Sequence, residues 1–109
     1  MKVESLIGTW QGIAQNNNGW EMEVTISITE PIQTGGILGT YAIPEIPCTG
    51  KFRIVEIKGE TLELKSEEQK GECGEADSDS LELLSDGNLL YVSKGDGWEA
   101  RGNLERKSK

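Results

Sequence analysis

The side chains able to do chemistry here are two cysteines, a set of carboxylates and three tryptophans, with no histidine among 109 residues. Lack of histidine removes Ser-His and Cys-His nucleophilic machinery and the commonest general base. Cys48 and Cys73 stand 25 positions apart, far from Cys-x-x-Cys spacing, and two cysteines are too few for a zinc site. If the segments between them form a hairpin, both cysteines emerge at the same end of it, and a disulfide is the natural reading. Closing a loop of that length stabilises a chain by about 3.5 kcal/mol in the chain-entropy model. Two unpaired thiols are the alternative, with a redox or nucleophilic pair behind them, since nothing nearby would activate a thiolate.

The carboxylates fall in two groups. Glu21 and Glu23 share a parity, which in a strand sets their Cβ atoms about 7 Å apart. Such a pair could act in acid–base chemistry, but ordinary solvent-facing charge is the simpler reading. Glu72, Glu75, Asp77 and Asp79 crowd the segment 67–80. Oxygen-rich loops hold Ca²⁺ only with ligands at defined offsets, so the run reads as a solvated loop tip. Trp20 and Trp98 each begin a predicted strand beside a Gly-rich turn. They either cap a core or line an open mouth as contacts for a ligand or glycan. No metal and no cofactor are expected.

The elements that must position these residues are strands. In Leu6–Ala14, Gly8, Trp10 and Gly12 share one parity and so one face. The stretch reads as a first strand over about 5–14, with Trp10 plugging one end of a barrel. Residues 20–29 carry the cleanest pattern, with Trp20, Met22, Val24, Ile26 and Ile28 alternating against polar residues. Further strands are predicted over 37–43, 51–58, 61–66, 81–84, 89–93 and 98–105. Phe52 and Ile54 switch parity to Val55 and Ile57, which predicts a bulge at Ile54-Val55. The two-proline segment 43–50 reads as an ordered loop pinned at Cys48, and 67–80 as the one longer loop. Arg106-Lys107-Ser108-Lys109 reads as a frayed tail. No convincing helix is present.

Length argues for a single domain over 1–109. Fourteen glycines with only three prolines fit short strands and tight turns. A net charge of −8 repels phosphate backbones, so nucleic-acid binding is not expected. Acidity serves solubility first, and attraction of a basic partner surface second. No apolar run could form a membrane-crossing helix, and Met1–Ser5 lacks the apolar core of a signal peptide. A cytoplasmic location follows if the chain is complete, and an extracytoplasmic one if it was trimmed from a precursor and Cys48–Cys73 is bridged.

Eight strands joined mostly by short turns predict an all-β antiparallel up-and-down meander closed into a small barrel, with a two-sheet β-sandwich as the alternative. Closure would pair the last strand with the first, at a seam carrying Gly8, Trp10, Gly12, Trp98 and Gly102. The Gly8-x-Trp10 pair at the start of such a meander resembles the lipocalin-like, or calycin, barrels. That resemblance implies a Trp at the closed end and a small apolar ligand inside. Many calycins also stack a basic side chain on that Trp; here the nearest candidate is Arg101, which alternation places on the outer face. A second resemblance, carried by Gly8-Thr-Trp10-Gln-Gly12, Tyr41, Pro44, Cys48-Thr-Gly50 and Cys73, is to a small bacterial domain found alone or appended to larger signalling proteins.

Non-catalytic binding is the function this reading favours: a small apolar ligand in the barrel, or a partner at its mouth. Trp20, Met22, Val24, Ile26, Phe52 and Leu62 would line the wall. The alternative is a protein-interaction or accessory module with a filled core, acting through loops 67–80 and 43–50. An enzyme ranks third.

Overall fold

The computed structural model describes residues 6–29, 32–73 and 76–108. Eight strands run β1 (Gly8–Asn16), β2 (Glu21–Ile28), β3 (Ile37–Ile43), β4 (Cys48–Lys58), β5 (Thr61–Gly71), β6 (Ser78–Leu83), β7 (Leu89–Gly95) and β8 (Trp98–Ser108). Each pairs antiparallel with the next, and β8 returns to β1, closing the barrel. The closed β1–β8 ladder excludes the sandwich. Period-two alternation turns one face of each strand inward, as in the row Leu62, Leu81, Tyr91 and Gly102 that crosses four strands.

The seam works because two of its inward positions have no side chain. A Cβ on Gly12 would meet the carbonyl of Asn103, and one on Gly102 would meet the carbonyl of Ile13. Glycine therefore lets the two backbones approach where the barrel closes. Trp10 is 1% exposed, and its indole N–H donates to the Leu6 carbonyl at 2.9 Å. Leu6, itself buried, lies across the same end. That end of the barrel is sealed.

Arg106 completes the seal. Its guanidinium lies 4.3 Å from the Trp10 ring centre and donates to the Ile7 carbonyl at 2.8 Å. The frayed-tail reading of 106–108 is thus corrected: β8 runs on to Ser108, and Trp10 pairs with Arg106. Arg101 faces outward as expected, beside Glu99 at 3.5 Å. The basic side chain that stacks on the tryptophan is Arg106, one inward step beyond Leu104.

Two loop readings are also corrected. Cys48, Thr49 and Gly50 belong to β4 and pair with Ile43, Ala42 and Tyr41, leaving a turn over 44–47. The segment 67–80 is mostly strand: β5 continues to Gly71 along β4, and β6 starts at Ser78. The bulge predicted at Ile54-Val55 is present, as the β4–β5 register shifts between Ile54 and Glu56. Pro31 and Glu75 lie outside the described residues.

Candidate functional site

The open end of the barrel is built by inward positions where the pattern changes from aliphatic to polar. One row toward this end from Leu62 and Leu81 lies the row Leu64, Asp79, Ser93 and Ala100. Asp79 has the parity of Leu81 and Leu83, so its carboxylate points into the barrel, and the residue is only 5% exposed. The reading of Asp79 as part of a solvated loop tip is therefore corrected. Ser66 Oγ donates to Asp79 Oδ2 at 3.2 Å, and the Ser93 hydroxyl supports the carboxylate from β7. Burial raises the Asp79 pKa above its ordinary value, against the opposing effect of these two hydroxyls. Among the described residues no basic side chain forms an ion pair with it.

Two tyrosines stand in the same space. Tyr91 is buried, and burial followed by the nearby Asp79 charge raises its phenol well above the usual range. Tyr41 stacks on Phe52 with ring centres 4.4 Å apart. Its ring covers Gly50, where a Cβ would run into it. Gln69 Nε2 donates to Tyr41 Oη at 2.8 Å. Strict alternation would turn Gln69 outward. A bulge at Glu68, whose φ is +49°, adds one residue opposite β4 and brings Gln69 to the inner face.

Between these groups lies a cavity of about 60 Å³. Met22, Ile43, Ile46, Trp98 and Ala100 form its apolar side, and Tyr41, Ser66, Gln69, Asp79, Tyr91 and Ser93 its polar side. That volume exceeds the roughly 10–15 Å³ that one water requires and is below the ~150 Å³ of a cavity that takes benzene. It adjoins an outer cleft of about 210 Å³ that shares Ser66, Gln69, Ala76 and Asp79. The cleft exists because β5 and β6 pair only from Thr61 to Leu64 and then part. Asp79 stands where they separate, reachable from both spaces.

The disulfide borders the same end. Cys48 and Cys73 are bonded, with Cα atoms 4.9 Å apart. The bridge ties the start of β4 to the segment just beyond β5, and the Glu72 N–H donates to the Pro47 carbonyl at 2.8 Å beside it. The turn 44–47 and residues 72–73 just beyond β5 are thereby held together at the mouth.

The sequence-predicted wall residues separate. Val24, Ile26, Phe52 and Leu62 are fully buried in the core cluster and do not line the cavity. Met22 and Trp98 do line it. Trp20 precedes β2 and is 57% exposed, so it forms no part of the wall. Trp10, Gly12 and Gly102 lie in the β1–β8 seam, Gly8 pairs with Ile28 of β2, and Trp98 stands at the opposite end of β8 from Trp10's partner. Glu21 and Glu23 flank Met22 on the other face of β2, where the Glu23 N–H donates to Glu45 Oε1 at 3.1 Å. Among the described residues no three metal-ligating side chains converge. Sequence reading missed Ser66, Gln69, Asp79, Tyr91 and Ser93 as a group. Parity with the neighbouring leucines was the signal for four of them, all but Gln69.

Comparison of the chain with protein-family models, with curated proteins and with solved structures finds no match.

Proposed function

We propose that this barrel is a non-catalytic binding module that works through its open mouth. The observation that carries the reading is the asymmetry of the two ends. One is sealed by Trp10, Leu6 and Arg106. The other holds a cavity with a buried carboxylate, two phenols and an indole at its wall. A few convergent polar groups within an otherwise apolar concavity are the usual composition of a ligand site. The 60 Å³ interior favours a small group inserted from outside over an apolar ligand enclosed in the barrel. The stack of Arg106 on Trp10 supports a calycin-type relationship for the barrel.

A second reading draws on the disulfide. By tying the end of the turn 44–47 to residues 72–73 beyond β5, it gives the mouth a fixed rim on which a partner protein would dock. In both readings the open end acts.

Ligand-observed NMR screening of small fragments, with the wild type and with Met22→Trp, tests the proposal. The larger ring fills the mouth from its apolar side. The expected result is a set of fragments that bind the wild type and lose binding in the variant, at an unchanged melting temperature. Fragments that bind both proteins equally would place the binding surface elsewhere and overturn the reading.

A further inference from the structure

Asp79 presents a physical problem that a ligand would solve. A carboxylate inside a barrel loses water, and burial of a charge is costly unless a counter-charge accompanies it. Here the residue is 5% exposed, and among the described residues lining the inner cavity none is basic, while Lys65 lines the outer cleft together with Asp77. The position is nonetheless open, since the inner cavity and the outer cleft both reach Asp79.

Resting on the mouth-binding reading, we propose that the site recognises a primary ammonium group carried on an alkyl stem. The ammonium would sit in the inner cavity against Asp79, and the stem would leave through the gap between β5 and β6. Three features select this chemistry. An ammonium is compact and has three donors. The carboxylate, the Ser93 hydroxyl and the Tyr91 phenol supply acceptors from two neighbouring strands. A guanidinium is served less well, because its planar fork prefers both carboxylate oxygens, and Asp79 Oδ2 already accepts from Ser66. The indole of Trp98 and the ring of Tyr41 line the same cavity, and aromatic rings are favourable company for a cation. The net charge of −8 draws cations toward the molecule as a whole.

The stem could belong to a free amine or to a lysine side chain of another protein, and the test separates the two. Uniformly ¹⁵N-labelled protein is titrated with n-butylammonium, with the neutral isostere 1-butanol, and with butyrate. Two peptide arms carry one lysine or one acetyl-lysine, each with blocked termini. Butylammonium is expected to shift the amide resonances of Ser66, Asp79 and Ser93 and the indole resonance of Trp98. Its affinity should exceed that of 1-butanol at least tenfold, with no shifts from butyrate. Asp79→Asn should reduce the affinity at least tenfold while the uncharged probe binds as before. Tighter binding of the lysine peptide than of butylammonium, lost on acetylation, assigns the stem to a partner protein, and the reverse order assigns a free amine. Equal binding of 1-butanol and butylammonium would overturn the ammonium assignment and leave the mouth as a binding site. No response at these resonances to any probe would overturn both. The wild-type comparison of charged and neutral probes decides the question even if the variant folds poorly.

Discussion

Asp79 is the residue at which stability and proposed function oppose each other. Its pKa is raised in the folded protein, chiefly by burial. For a carboxyl group that sign means the ionised form is disfavoured in the folded state. Its favourable contribution is full below the unfolded pKa and is lost as pH rises through the folded value. Asp79→Asn keeps a carbonyl acceptor for Ser66 and removes the charge. The variant is expected to resist urea better than the wild type at pH 7, with the difference vanishing below about pH 4. Urea midpoints measured across that range check it; a variant less stable at pH 7 would contradict the account. Arg106 and Arg101 make a second comparison at this scale. Arg106→Ala removes the stack on Trp10 and the bond to Ile7, and should cost about 1–2 kcal/mol. Arg101→Ala removes only an exposed pair on the outer face and should stay within about 0.5 kcal/mol. Denaturant unfolding of the two variants distinguishes them. Both residues were readable in the sequence once parity was carried far enough. Trp98, Ala100, Gly102 and Leu104 set an inward step of two that lands next on Arg106, and the basic composition of the last residues hid it.

Strands here fail to announce themselves where they leave the apolar core. The alternating segments 20–29, 37–43 and 89–93 and the bulge at Ile54-Val55 were legible because a buried face needs apolar residues every second position. The extensions of β5 and β6 were not. Residues 67–71 hydrogen-bond to β4 but cover no core, so nothing selected them for hydrophobicity. Asp79 broke the apolar pattern at the point where β6 starts, and the proposed site lies there. At this scale the disulfide and the seam carry the stability claims. Cys48→Ser together with Cys73→Ser should cost about 3.5 kcal/mol in denaturant, and the intact protein should show a mass two hydrogen atoms below the reduced one. Free thiols in the unreduced protein would contradict the bridge. Gly12→Ala brings a methyl group against the Asn103 carbonyl across the seam. It should cost about 1–3 kcal/mol by overpacking. A neutral effect would show that the seam has room the structure denies it.

At the level of the whole molecule, the eight strands divide the labour between two ends. The closed end is filled by large apolar and stacked side chains, and the strand order that brings Trp10 to Arg106 also closes the barrel. The open end collects the polar inward residues of β5, β6 and β7, together with the aromatic residues of β3 and β8. Closure was readable because turn signals and short links leave an eight-stranded meander few other arrangements. The polarity of the ends was not, since it depends on which row each strand contributes, and register is set by contacts far apart in the chain. The most direct test of the division is a chemical-shift map of the ¹⁵N-labelled protein with the fragments that bind it. Shifts are expected at Tyr41, Gln69, Asp79, Ser93 and Trp98, with Trp10, Ile28, Leu89 and Leu104 unmoved. A map centred on the Trp10 end, or on the outer face of β2 to β4, would contradict it.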